Sequence, residues 1–162
     1  MSNDYLTTLR YTQRLAQLKR ERPAAVMRRL THCVRCGVCC WHSPAQLSPS
    51  DLTRLATHEQ LTPNEYFIRN CALSLINEQL SVVLLRSGQT TFGGEMLPPE
   101  QRLNLDTPCH YLDKSGCRIH DYKPQQCVRA KCWLPQTMSD MSWSAAELAK
   151  IGVVAHELNF GV

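Results

Sequence analysis

Four cysteines fall within eight residues, Cys33, Cys36, Cys39 and Cys40, and four more follow at Cys109, Cys117, Cys127 and Cys132. Thiolates crowded this closely make a poor apolar core. They are well suited to wrapping a soft metal ion or an iron–sulfur cluster. The steps of three between Cys33, Cys36 and Cys39 let a chain curl around one centre with each sulfur pointing inward. Gly37 lets the backbone turn sharply and aim amide donors at sulfur, and Arg35 places positive charge nearby, which favours the thiolate form. Cys39 and Cys40 are adjacent, and neighbouring side chains usually diverge, so both do not sit comfortably on one mononuclear ion. The eight sulfurs fit two four-thiolate sites, or one [4Fe–4S] cluster with three ligands from the first run and one from the distal set. Spacing leaves both arrangements open.

A ninth cysteine, Cys71, makes the total odd. Any fully paired disulfide scheme leaves one thiol over, and a reducing cytosol disfavours such a framework in any case. Cys71 lies among apolar residues and is expected in the core. Imidazole suits zinc and iron as well as thiolate does. His32, His42, His110 and His120 lie close to cysteines in sequence, and His110 and His120 are the best placed of them. His58 and His156 read as helix-surface residues. Phosphate loops, dinucleotide fingerprints, His-Glu-x-x-His and Gly-x-Ser-x-Gly are all missing from the sequence. Chemistry, if any, belongs to the metal centre or to an unligated cysteine.

The distal segment reads Pro108-Cys109-His110-Tyr111-Leu112, then Cys117-Arg118-Ile119-His120, then Lys123-Pro124-Gln125-Gln126-Cys127, then Cys132. With the first run it resembles the bacterial cysteine-cluster family of zinc- or iron-chelating (CxxCxxCC) domains. That family is marked by its eponymous run and a later Pro-Cys-x-x-Leu … Cys-x-Ile-Tyr … Arg-Pro-x-x-Cys segment. The resemblance covers about residues 33–132 and implies chelation of iron, as an iron–sulfur cluster, or of zinc. A similar module in flagellin lysine N-methylase leaves a metal-dependent enzyme as a further reading. The chain departs from the pattern twice. His120 stands where the family has Tyr, and Lys123 where it has Arg, which loses a bidentate fork.

The elements that must position these residues follow from composition and pattern. The chain has 162 residues, 43% hydrophobic and 20% charged, enough for one ordinary core. It shows neither a secretory leader nor an apolar run of membrane-spanning length, so a cytoplasmic protein with no membrane contact is expected. Residues 1–32 carry seven Lys or Arg against two acidic groups, whereas the remainder carries 11 basic and 12 acidic. The excess charge forms a basic arm that could meet an acidic protein or nucleic acid, which supports a second function: a zinc-stabilised interaction module. Three regions are expected: a helical arm over 1–32, the cysteine-cluster domain over 33–132, and a helical extension over 133–162 packed on that domain.

Apolar periodicity predicts a helix over 4–20 and a turn or two more over 24–30. Pro44 and Pro49 mark a loop, and Ser50-Asp51 starts a short helix through Ala56. Thr62-Pro63-Asn64-Glu65 has a capping box with proline in the first turn, and predicts a helix running to about Leu75 through Cys71. Leu80–Arg86 predicts a strand turning at Ser87-Gly88 into Gln89–Phe92. A smaller hairpin is expected from Cys109–Leu112 to Cys117–His120, and then a short helix after Pro124 carrying Cys127. Ser144 caps a closing helix from Ala145 to about Leu158. The fold class is α+β, a small single domain with helices around short β-hairpins and an irregular cysteine-rich metal-binding centre.

Overall fold

A computed structural model describes residue 40 and residues 45–90, 95–102, 107–129 and 141–153. The expected helices over 4–20 and 24–30, the basic arm, and residues 136–140 of the loop after Pro135 lie outside the described residues. The remainder is a mixed α+β domain, as its sequence predicts. Its elements are β1 (Gln46–Leu47), α1 (Pro49–His58), α2 (Pro63–Asn70), β2 (Cys71–Ile76) and β3 (Gln79–Leu84). They continue with α3 (Pro99–Arg102), β4 (Leu112–Asp113), β5 (Gly116–Cys117), a 3-10 turn (His120–Tyr122), α4 (Gln125–Arg129) and α5 (Ala145–Lys150).

The three longer helices start on the same device. Ser48, Thr62 and Ser144 each cap a helix through a reciprocal box with an acidic residue, namely Asp51, Glu65 and Glu147. The expectation for Thr62 and Ser144 holds. For α1 the start is corrected: Pro49 is not loop but the first helical residue, where its missing N–H costs nothing. Two helix ends are also corrected. α2 stops at Asn70, because Cys71 is already extended and enters the sheet. α5 stops at Lys150, because Gly152 takes a φ of +74° and closes a Schellman motif. In that motif Gly152 N donates to Ala149 O and Val153 N to Leu148 O, each at 3.0 Å. A side chain at Gly152 would meet the Asn64 amide at 3.1 Å, and that same amide donates to Ile151 O, fastening α5 to the start of α2.

The sheet has the order β1-β3-β2, antiparallel throughout. The expected strand over Leu80–Arg86 exists, yet its hairpin partner precedes it. Cys71–Ile76 pairs with Gln79–Leu84 across Asn77-Glu78, both at positive φ, the backbone of a tight two-residue hairpin. Ser87-Gly88 is still a turn, closed by Gln89 N on Arg86 O at 3.0 Å. Gln89 and Thr90 after it are not strand, and the rest of the expected second strand lies outside the described residues. Alternation explains the run of aliphatic residues in β3. Val82 and Leu84 join Cys71, Leu73, Leu52, Leu55, Phe67 and Leu148 in the main core, while Val83 and Leu85 meet Ala72 and Leu97 on the opposite face. Cys71 is fully buried in that core, as expected. The smaller hairpin forms, but its strands are corrected to two residues each, Leu112 pairing with Cys117 and Asp113 with Gly116, while Cys109–Tyr111 and Arg118–His120 lie outside it.

Candidate metal centre

Of the eight cysteines expected to ligate, Cys33, Cys36, Cys39 and Cys132 lie outside the described residues. The other four, Cys40, Cys109, Cys117 and Cys127, are half-buried thiols. Three of them meet. Cys109 N donates to Cys40 O at 2.9 Å, joining the end of the first run to the start of the distal segment. The Cys40 side chain in turn hydrogen-bonds the sulfur of Cys117 on β5. Cys109 is held in place by an antiparallel bridge to Arg86, beyond the end of β3, and by a turn in which Leu112 N donates to Cys109 O at 2.9 Å. Cys127 sits on α4 against the core, and α4 packs on β1. Among the described residues no three Cys, His, Asp or Glu side chains already stand at metal-holding geometry.

The electrostatics of Cys117 suit a ligand. The Cys40 hydrogen bond lowers its pKa from the usual 9.0 to about 6, against the opposing effect of burial, with help from Ile119 N–H and the charges of Lys123 and Arg118. The thiolate so favoured is the form that takes up metal. Cys71 lies at the other extreme. Burial foremost, then the neighbouring Cys109 and Glu59, push its thiol well above the ordinary range, which keeps it protonated. In metal-free protein, iodoacetamide should therefore modify Cys117 with a midpoint near pH 6, its reactivity falling below that pH as the thiolate takes up a proton. Cys40→Ser should move the midpoint upward by removing the largest stabilising contact. Peptide-level mass spectrometry across pH 5–9 reads both, and an unmoved midpoint in Cys40→Ser shows that the Cys40 contact does not stabilise the thiolate.

Sequence reasoning missed the scaffold that fixes the distal cysteines. Asp51, 1% exposed, accepts Gln125 N at 3.1 Å and Arg54 Nη2 at 2.7 Å through one carboxylate oxygen. The Arg54 guanidinium then donates to Tyr122 O and, at 3.0 Å, to Lys123 O. His58 stacks on Tyr122 with ring centroids 4.3 Å apart. α1 thus grips the chain between Cys117 and Cys127 at both carbonyls and at the first amide of α4, while Gln126 reaches β1 through Gln46 N. Ser48-Pro49-x-Asp51 could have signalled the cap, but nothing local announces the reach of Arg54. Beside Cys71 a second buried network runs from Tyr66 to Tyr111 at 2.9 Å and from Tyr111 to Glu59 at 2.6 Å.

The histidines separate clearly. His32, His42 and His156 lie outside the described residues. His58 is exposed, as expected, and occupied with Tyr122. His120 Nε2 lies 3.3 Å from Lys123 Nζ, so the two departures from the family pattern meet each other. His110 is held neutral, burial foremost and then Arg118 lowering its pKa to about 4.

The α+β domain thus brings Cys40, at the end of the first run, into contact with Cys109 and Cys117 of the distal segment. The chain belongs to the CxxCxxCC family, described as "Putative zinc- or iron-chelating domain", whose model matches residues 32–148. That span takes in the whole cysteine set and α1 to α4. It also reaches Trp143 and most of α5, farther than the cysteines alone suggest. No curated protein and no solved structure matches the chain. Among the described residues no helix is long and apolar enough to cross a membrane.

Proposed function

We infer that this protein chelates iron, as an iron–sulfur cluster, or zinc, through Cys33, Cys36, Cys39, Cys40, Cys109, Cys117, Cys127 and Cys132. The observation that carries the reading is the contact of Cys40 with Cys109 through the main chain and with Cys117 through the side chain, across a separation of some seventy residues. The residues present fit such a group. Their donors are soft, Cys40 hydrogen-bonds Cys117, and Lys123 and Arg118 offset the negative charge that clustered thiolates bring. An iron–sulfur centre would supply one-electron chemistry, tuned by backbone amides around the sulfurs; zinc would supply a closed structural site. Protein purified without oxygen should be brown, with iron and acid-labile sulfide in stoichiometric amounts. Colourless protein carrying zinc selects the zinc form. Protein that retains neither metal, and binds neither when offered, rejects chelation.

A further inference from the structure

Cys40 and Cys117 come from opposite halves of the cysteine pattern, yet their side chains are joined by a hydrogen bond. The main chain holds the two residues on one short frame. Cys40 O accepts Cys109 N at 2.9 Å, a turn with Leu112 N on Cys109 O at 2.9 Å leads on to β4, and Leu112 pairs directly with Cys117 on β5. Just beyond the hairpin, Arg118 N donates to Tyr111 O at 2.9 Å and fixes the chain on the far side of Cys117. Both thiols are half-buried, whereas Cys71 is sealed in the core. A small solute can therefore reach the pair, and Lys123 and Arg118 place positive charge near Cys117.

We propose that Cys40 and Cys117 are a site of reversible oxidation, at which a peroxide converts the hydrogen-bonded pair of thiols into a disulfide. The Cys117 thiolate attacks one peroxide oxygen and the O–O bond breaks. The departing oxygen takes the proton that Cys117 has released, leaving as water or, from an organic peroxide, as an alcohol. Cys117 is then a sulfenic acid. Cys40 gives up its proton, its sulfur attacks the Cys117 sulfur, and the expelled hydroxide takes that proton to form water. Two electrons pass from the sulfur pair to the peroxide, and a dithiol reductant restores both thiols by exchange. The sulfurs have only to close from hydrogen-bonding to bonding distance. A second thiol already in contact with the oxidised sulfur diverts it from irreversible over-oxidation. The link itself needs no metal. Its consequence, the withdrawal of two of the eight sulfurs so that chelation becomes redox-dependent, rests on the chelating reading above.

The test treats the full chain, reduced and stripped of metal, with equimolar hydrogen peroxide, and blocks the remaining thiols with iodoacetamide. Trypsin leaves Cys117 by itself in Ser115–Arg118, while Cys36, Cys39 and Cys40 share the peptide from Cys36 to Arg54. Non-reducing mass spectrometry should find these two peptides joined, with fragmentation placing the bridge at Cys40, and dithiothreitol should separate them. The link should be lost in Cys40→Ser and kept in Cys36→Ser and Cys39→Ser. In urea, where the fold no longer holds the pair together, it should scatter over other cysteines. The wild-type result stands by itself if Cys40→Ser does not fold. Cys117 recovered from folded wild type as an unoxidised thiol, as a sulfinic acid or bridged to another cysteine overturns the proposal. So does a Cys40–Cys117 yield in folded protein no greater than in urea. Metal content, measured separately, decides the chelating reading, so failure of the one is distinguishable from failure of the other.

Discussion

Asp51→Ala is expected to cost the metal-free fold about 3 kcal/mol and to weaken metal binding with it. The carboxylate is buried and holds four donors: Gln125 N and Arg54 Nη2 on one oxygen, Ser48 N and Ser48 Oγ on the other. Removing one partner of a buried ion pair costs about 3–5 kcal/mol, because the other charge is left without compensation. Arg54 is 36% exposed, so water relieves part of that loss and the lower end applies. The capping box disappears at the same time. Asp51→Asn keeps an acceptor but not the charge, and should cost about 1–2 kcal/mol. Arg54→Ala separates the two consequences. Its exposure limits the stability loss, yet the Tyr122 and Lys123 carbonyls are released and the chain before Cys127 is no longer held. Supporting residues around metal ligands typically contribute about 10–100-fold in affinity, so Arg54→Ala should lower affinity by at least about tenfold. Urea unfolding of metal-free protein gives the first quantity, and competition with a chromophoric chelator the second. Asp51→Ala within about 0.5 kcal/mol of wild type, with affinity unchanged, would show that the grip of α1 has no bearing on the centre.

That grip also marks the boundary of what the sequence discloses. Helix starts are local events, and Thr62, Ser144 and their acidic partners three residues on could be read directly. The small hairpin was equally visible, because Asp113-Lys114-Ser115-Gly116 is turn chemistry between two short apolar pairs. Where a local signal had a competitor, the reading failed. Ser87-Gly88 is a better turn on composition than Asn77-Glu78, yet β3 pairs backwards with β2. That pairing sets Cys71 against Leu84 and Leu73 against Val82 on the core face, with Ala72 against Val83 on the other. Pairing forward would have left Cys71 and Leu73 in a helix with no sheet to fill. The cysteine spacings disclosed the chemistry but not its geometry. Asp51 reaches Gln125 across 74 positions, and Cys40 meets Cys117 across a comparable gap. No periodicity records a contact of that range. His110 shows the same limit. Its place beside Cys109 was evident, whereas the isolation of Nε2 is a property of the packed interior alone.

Trp143→Ala is expected to be the most damaging single change, at about 3–5 kcal/mol. The indole is almost fully buried, its Nε1 donates to Leu47 O at 2.7 Å, and its own N–H donates to Leu80 O at 2.8 Å. It thereby ties the segment before α5 to both β1 and β3. β1 has only two residues, and it is the strand on which α4, with Cys127, packs. Truncation removes the largest side chain in that corner and leaves the Leu47 carbonyl buried without its donor. Trp143→Phe keeps most of the volume and should lose only about 1–2 kcal/mol, chiefly from the lost hydrogen bond. A domain of this size has about 5–15 kcal/mol in total, so Trp143→Ala approaches the threshold of unfolding when metal-free. Metal supplies the counterweight. A ligand that binds only the folded state at 100 times its Kd adds about 2.7 kcal/mol, so saturating zinc should restore a cooperative melting transition to the variant and raise its Tm. Thermal unfolding with and without zinc, followed by circular dichroism, reads the effect. If zinc leaves the variant's transition unmoved while raising that of wild type, the corner held by Trp143 is part of the binding geometry itself and not merely of the fold that carries it.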